Sequence, residues 1–109
     1  MHLGVSMEYR VEVSASADRD VDEILTYIAG NLANPSAASR FADDLDKKYA
    51  ELESHPYIFE LSRNDYLAKM GYHRFIVGNY VALYRIEEEK HLVVIARIFY
   101  GKREYEKCI

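Results

Sequence analysis

Two stretches of the chain carry side chains that could transfer a proton or bind a phosphate group. His73 is an imidazole, the side chain that exchanges protons near neutral pH, and Arg74 beside it carries a guanidinium that can bind phosphate. Closer to the C-terminus, Lys102 and Arg103 are adjacent cations, and Tyr105 adds a phenolic hydroxyl. These five positions are the first candidates for acid–base chemistry or for contact with a charged ligand.

Ordinary structural roles would account for the same residues. His73 would pack beside Phe75 and Tyr84 as a plain strand residue. Lys102 and Arg103 would be solvated charges of a polar tail. The residue types alone leave both interpretations open.

Arg97 and the tyrosines are further candidates. Arg97 interrupts the most apolar run of the chain, where an unpaired charge is costly, so we expect a structural ion pair or a contact with a partner protein. The ten tyrosines could stack on nucleobases, but Tyr27 and Tyr49 lie on or beside apolar helix stripes and are expected in the core. The tyrosines that remain as surface candidates are Tyr72, Tyr80, Tyr84, Tyr100 and Tyr105.

Length and composition restrict the class of protein. A chain of 109 residues has room for one core, so we expect a single domain over residues 1–109, with 1–6 as a loose extension and Met7 as an alternative start of translation. One cysteine, Cys108, and four scattered histidines predict neither a disulfide nor a metal site. Apolar segments fall short of the ~20 residues of a membrane span, and no signal peptide is evident. We therefore expect a cytoplasmic protein that needs no cofactor and contacts no membrane.

Charge is divided unevenly along the chain. The protein has 18 acidic and 14 basic residues and a net charge of −4. Thirteen of the acids and six of the bases lie within residues 8–65, whereas residues 69–107 hold eight bases and five acids. Because domains that bind nucleic acid are usually basic, the overall charge argues mildly against that function. A solvated helix surface explains most of the acids.

The beginning of the chain predicts a strand and a first helix. Residues 8–13 alternate charged and apolar side chains, which is typical of an amphipathic strand. Ser14 and Ser16 both offer helix N-caps, and apolar residues at helical spacing follow from Val21 to about Leu32.

A second helix and an antiparallel helix hairpin are predicted next. Asn34 would cap this helix, with Pro35 at its first position, and the segment before Pro56 would end it. Two helices joined by a link this short lie side by side, and each needs a sheet to cover its apolar stripe.

The second half of the chain predicts strands. Residues 57–70 read as an irregular connection. A two-residue Gly78-Asn79 turn then predicts a hairpin in which His73 faces Tyr84, while Arg74 lies on the opposite face with Leu83. In the same register, Phe75 would face Ala82 and Val77 would face Tyr80.

The last strand completes the predicted fold. A charged turn over 87–91 leads to a central strand over 92–100, closed by Gly101, and a polar tail or short helix follows. The order β-α-α-β-β-β describes an α+β fold: an N-terminal strand, an antiparallel helix hairpin and a three-stranded antiparallel meander, with the helices on one face of a mostly antiparallel sheet.

This arrangement resembles the RelE/ParE superfamily of toxins from type II toxin–antitoxin systems. The resemblance covers residues 7–109. It rests on three segments in this order: ASADRDVDEILTYI at the start of the first helix, GYHRFIVGNYVALYRI in the hairpin, and VVIARIFYGKREY at the end. It implies a toxin fold, a cognate antitoxin as partner and no cofactor.

The resemblance implies different residues for the two activities of the superfamily. RelE-like members are ribosome-dependent ribonucleases that cut mRNA, with lysines on the second strand, an arginine on the third, and an arginine and a tyrosine near the C-terminus. Here the matching positions hold His73 and Phe75 on the second strand and Val81 on the third. Arg103 matches, and Tyr105 lies closer to it than the tyrosine of the family would.

ParE-like members inhibit DNA gyrase and lack the nuclease residues. We expect this protein to be one of them. It would then be a toxin that causes growth arrest and belongs to a plasmid-stabilisation system. The long helix hairpin and the NPSAASRF start of its second helix favour this branch. An antitoxin would lay its C-terminal segment over the groove between hairpin and sheet. The candidates for contact with target or antitoxin are Arg74, Tyr84, Arg97, Lys102, Arg103 and Tyr105.

Two alternatives remain at this point. The first is a ribosome-dependent mRNA endoribonuclease that uses His73, Arg74, Arg103 and Tyr105, with ribosome and mRNA as partners. The second is an inactive toxin fold that binds only its antitoxin.

Overall fold

The computed structural model describes residues 8–102, and apart from one additional short helix before β2 its main elements follow the predicted order. The strands are β1 (Arg10–Val13), β2 (His73–Val77), β3 (Tyr80–Glu87) and β4 (Leu92–Tyr100). The helices are α1 (Ala15–Thr26), which continues as a π-helical segment (Tyr27–Asn31), α2 (Pro35–Ser54) and α3 (Asp65–Lys69). The predictions for residues 1–6, for Met7 and for the tail from 103 onward fall outside the described residues.

Side chains fix the beginning of each long helix as the sequence predicts. The Oγ of Ser14 accepts the backbone N–H of Ala17 at 3.0 Å and so starts α1. The Oδ1 of Asn34 accepts the N–H of Ala37 at 3.1 Å, and Pro35 occupies the first turn of α2. The helix hairpin therefore has both of its starts set by local sequence.

The four strands form one mixed sheet in the order β1-β4-β3-β2. Strands β2, β3 and β4 are the predicted antiparallel meander, and β1 pairs with β4 in parallel. The predicted hairpin register is confirmed in full, with His73 opposite Tyr84 and Arg74 opposite Leu83. Gly78 has a φ of +58°, which the first residue of this two-residue turn requires and glycine adopts without strain.

The main core lies between the helix hairpin and one face of the sheet. Its buried residues from the helices are Ala17, Ile24, Ile28, Ala38, Phe41, Leu45 and Leu52. Its buried residues from the strands are Phe75, Val77, Ala82, Tyr84, Val93, Ile95 and Ile98. No helix within residues 8–102 is both long and apolar enough to cross a bilayer.

The opposite face of the sheet carries a smaller core that the sequence did not predict. Here Leu67 of α3 packs with Val81, Leu83 and Phe99. Helix α3 lies inside the stretch expected to be an irregular connection, so that expectation was wrong for its five residues. A helix this short has only one buried side chain and thus no apolar period to detect.

One extra residue interrupts the pairing of β3 with β4. Leu83 pairs with Arg97 and Tyr84 with Ile95, which leaves Ala96 as a bulge. The hydroxyl of Ser14 donates to the carbonyl of Ala96 at 2.9 Å. The residue that caps α1 therefore also fixes the bulge, and it ties the start of the helix hairpin to β4.

Candidate functional site

A groove of about 930 Å³ opens between the helix hairpin and the end of the sheet that carries the β2–β3 turn. Its floor consists of buried apolar side chains, namely Ile24, Ile28, Phe41, Val77 and Ile98. The turn residues Gly78 and Asn79 close one side of it. Sequence elements that are far apart in the chain thus build one apolar depression.

The walls of the groove expose large apolar side chains to solvent. Tyr27 is 48% exposed and Leu32 55%, both at the end of the first helix, and Tyr100 at the end of β4 is 41% exposed. Tyr80 stands between them, with its ring edge-on to Phe41 at 5.3 Å and to Tyr100 at 5.9 Å. Burial, together with the nearby Tyr27 and Tyr100 hydroxyls, raises the pKa of Tyr80, so it stays neutral at physiological pH.

The rim of the groove carries more acids than bases. The charged residues that line it are Asp20, Glu23, Asp44 and Arg40. Asp20 is already engaged, because its carboxylate binds Arg97 through Nε at 2.8 Å and through Nη2 at 3.1 Å, and also accepts the N–H of Ile98 at 2.9 Å. Arg97 thus makes the ion pair expected of a charge in an apolar strand.

His73 lies at the other end of β2 from the groove. Its Nδ1 is 2.9 Å from the carbonyl oxygen of Phe59, and its ring stacks on Tyr84 at 5.2 Å. Tyr57 meets the same ring edge-on at 6.0 Å. The ring is therefore held in place on two sides by aromatic contacts.

Arg74 points to the opposite face of the sheet from His73, because neighbouring residues of a strand alternate faces. It is 5% exposed, and its Nη1 lies 2.8 Å from Oε2 of Glu60. The hydrogen bond from this guanidinium holds the pKa of Glu60 below its usual value. His73 and Arg74 are adjacent in the sequence, yet the structure does not bring their side chains together.

Two predictions about tyrosines were wrong. Tyr84, expected at the surface, is fully buried, and its hydroxyl donates to the carbonyl of Pro56 at 2.8 Å. It lies on the helix-covered face of a central strand, so it cannot contact a target or an antitoxin in this fold. Tyr27, expected in the core, is half-exposed because it faces the groove and not the packed part of the sheet.

The remaining predicted site residues are only partly described. Lys102 is exposed in the turn after β4. Arg103 and Tyr105 lie outside the described residues. Asp20 was not predicted as a site residue, although its position could have indicated an ion pair. It is an acid on the apolar stripe of the first helix, four residues before Ile24.

A second group of titratable side chains lies at the far end of β3. The carboxylate of Glu88 accepts hydrogen bonds from the hydroxyls of Tyr57 and Tyr9, the latter at 2.6 Å. These bonds lower the pKa of Glu88, and the one to Tyr9 raises the pKa of that tyrosine to about 12. His91 stacks on Tyr9 at 4.5 Å. One carboxylate of the β3–β4 turn thus contacts the residue before β1 and the α2–α3 connection.

Comparison with known proteins decides the family. A family model described as the ParE toxin of the type II toxin–antitoxin system, parDE, matches residues 11–105. The chain belongs to this family. It is therefore a type II toxin of the RelE/ParE superfamily, as the sequence resemblance implied. No curated protein sequence matches it.

Solved structures share the fold of this toxin. The chromosomal ParDE system of P. aeruginosa gives a TM-score of 0.69 at 17% identity over 89% of this chain and 100% of that one. The RelBE2 toxin–antitoxin complex of Mycobacterium tuberculosis gives 0.61 at 23% identity over 86% and 99%. The isolated RelE toxin of E. coli gives 0.52 at 16% identity over 91% and 93%. These neighbours include both ParE and RelE proteins, so the fold alone does not choose between the two activities.

Proposed function

We propose that this toxin acts by binding and inhibiting DNA gyrase and that a cognate antitoxin neutralises it. The observation that carries the proposal is the set of side chains at the positions where the resemblance places the nuclease cations. Phe75 and Val81 are buried apolar residues there, and His73 is engaged by Phe59. A buried apolar side chain can neither take a proton nor stabilise a charged phosphorane.

The placement of Arg74 supports the same proposal. Its guanidinium is buried against Glu60 on the face of the sheet away from His73, so the two do not form an acid–base and phosphate-binding pair. The acidic helix hairpin adds to this support, since an RNA-cleaving surface needs positive charge. Binding to a protein target needs neither an acid–base pair nor a positively charged surface.

The groove is our candidate for the surface that the antitoxin covers. It combines a buried apolar floor with half-exposed apolar walls, and concave apolar surfaces of this kind are where proteins dock. Of the contact residues predicted from sequence, Arg97 binds a residue that lines the groove, Asp20. The proposal places the protein in the cytoplasm, where gyrase acts, as part of a plasmid-stabilisation system.

The test is a supercoiling assay with purified protein and DNA gyrase. We expect the toxin to block supercoiling at micromolar concentration, and we expect the antitoxin encoded beside its gene to restore it. Full gyrase activity at a large excess of a toxin that still arrests growth would refute the proposal.

Expression of the toxin in cells separates the other two proposed activities from gyrase inhibition. Induced expression followed by mapping of mRNA 5′ ends should reveal no new ends within codons, and the Arg103→Ala variant should not change that pattern. New ends that disappear in this variant would point to a ribosome-dependent nuclease. Antitoxin binding without growth arrest would point to an inactive toxin fold.

A further inference from the structure

The face of the sheet that lies away from the helix hairpin exposes a group of large apolar side chains. Helix α3 covers part of this face, where its Leu67 packs on Val81. Tyr66 of this helix and Met70 at its end are each more than half exposed. Ile76 is also more than half exposed, and it is the residue of β2 opposite Val81, so its side chain lies on the same face. Tyr66, Met70 and Ile76 form what we call the α3 face, and exposed apolar residues grouped in this way typically mark an interaction site.

The exposed side of α3 carries one acid and one base. Asp65 is the first residue of the helix and Lys69 is the last, and both are exposed. They are four residues apart with the acid first, which is the favourable order for an ion pair within a helix. Within residues 8–102, however, neither of them makes an ion pair. Both charges are therefore available to a partner protein.

A second copy of the chain complements this face in both apolar contact and charge. A two-fold axis beside α3 would place the helices of the two copies antiparallel to each other. Tyr66 and Met70 lie one helical turn apart, so their stripe in one copy would pack on the same stripe in the other. Asp65 of each copy would then face Lys69 of the other, and the symmetry would create two equal ion pairs. A partner with charge of a single sign would meet repulsion at one end of the helix.

We propose that the toxin forms a homodimer through the α3 face, with Tyr66 and Met70 at the centre of the interface and Asp65 and Lys69 fixing its orientation. None of these four residues lines the groove, and neither does Ile76. The dimer would therefore leave the groove of each copy open. This surface is different from the one that the proposed function assigns to the antitoxin.

The first test is sedimentation equilibrium of the full-length toxin. Because the face is small, we expect a weak dimer that forms between about 10 and 500 μM protein. Tyr66→Ala/Met70→Ala removes four apolar side chains from each dimer and should weaken dimerisation about a hundredfold. Ile58→Ala/Leu61→Ala is the matched control. It removes two exposed apolar side chains of the α2–α3 connection outside the α3 face and should leave dimerisation unchanged.

The second test uses two charge variants at low salt. Asp65→Lys would bring bases together across the axis, and Lys69→Asp would bring acids together. Each should weaken its own dimer about tenfold, because two symmetry-related ion pairs become repulsive contacts. Mixed in equal amounts, the two variants should form a heterodimer about as tightly as the wild type dimerises, since each supplies the charges that the other lacks. A folding defect would not be rescued by mixing.

Several results would overturn the proposal. A monomer at every concentration would do so, as would a Tyr66→Ala/Met70→Ala variant that dimerises like the wild type. Failure of the two charge variants to associate on mixing would exclude the antiparallel arrangement of α3. A dimer that is lost in Tyr27→Ala but kept in the α3 variants would place the contact at the groove. None of these measurements involves gyrase or the antitoxin, so this inference and the proposed function can fail separately.

Discussion

Asp20 of α1 binds Arg97 of β4 at two points and uses the same carboxylate to accept a backbone N–H of the strand. The ion pair joins residues 77 positions apart, one in the helix hairpin and one in the sheet. The Asp20 side chain is 12% exposed and that of Arg97 31%, so water screens the pair only partly. The pair fixes the helix hairpin at the edge of β4, beside the groove.

We expect Asp20→Ala to lower the free energy of unfolding by about 2 kcal/mol, because it removes the carboxylate that binds the Arg97 guanidinium at two points and accepts the N–H of Ile98. Urea unfolding followed by circular dichroism measures the loss. Asp22→Ala is the matched control, since Asp22 is exposed on the same helix, and its effect should stay within about 0.5 kcal/mol. Equal losses in the two variants would contradict the role given to the ion pair.

Two glycine substitutions should have opposite signs. Gly78→Ala puts a side chain at a φ of +58°, and we expect a loss of about 1 kcal/mol from backbone strain alone, since no atom lies within 4 Å of the new Cβ. Gly30→Ala meets equally open space in a helical segment without a positive φ, and we expect a gain of about 0.5 kcal/mol. Thermal unfolding of both variants checks the pair, and a stabilised Gly78→Ala protein would be inconsistent with the turn.

Stability should fall in acid partly through Glu88. Its pKa is lowered in the folded state by hydrogen bonds from Tyr57 and Tyr9, so its contribution is present above the pKa of the unfolded chain and is lost as pH falls through the folded value. Between about pH 5 and pH 3, Glu88→Gln should therefore lose stability less steeply than the wild type. Urea midpoints across this range measure the slope.

The control for this prediction is Glu89→Gln in the same turn, which should keep the wild-type slope. At alkaline pH the stability falls as pH rises, because the pKa of Tyr9 is raised to about 12 in the folded state. Its contribution is present below the unfolded pKa of about 10 and is lost as pH rises toward 12. Identical acid slopes in wild type and Glu88→Gln would exclude Glu88 as a source of the pH dependence.

Much of the fold follows from short-range patterns. The caps at Ser14 and Asn34 and the register around Gly78 were predictable because each depends on residues within a few positions. The parallel pairing of β1 with β4 was not predictable, since no local signal in residues 10–13 identifies a partner about eighty residues away. Helix α3 was not predictable either, because its five residues are too few to show an apolar period.

The candidate site was less predictable than the fold. Period-two alternation put Tyr84 on the face with Phe75, and this already indicated burial, yet its aromatic hydroxyl suggested a surface role. The groove is built where α1, α2 and the β2–β3 turn meet, so the exposure of Tyr27 depends on tertiary packing. The apolar stripe of a helix, read from the sequence, cannot show where the sheet that covers the helix ends.

Tyr27 should be a major contact for the antitoxin. Because it is half-exposed on the groove wall, we expect Tyr27→Ala to weaken antitoxin binding by about thirtyfold, or about 2 kcal/mol, with little change in stability. Calorimetric titration of the two proteins measures the effect. Tyr66→Ala, at an exposed tyrosine of α3 outside the groove, should leave the affinity unchanged. An unchanged affinity in Tyr27→Ala as well would place the antitoxin elsewhere.

The parallel pairing of β1 with β4 has a consequence for the order in which the chain can fold. Arg10 pairs with Leu92, so the sheet closes only after translation has passed β4. Until then, the helix hairpin lacks the part of its core that β4 supplies, namely Val93, Ile95 and Ile98. Contacts of such high sequence separation slow folding, because a long loop must be closed before they form. The nascent toxin therefore reaches its binding-competent shape only after β4 has been made.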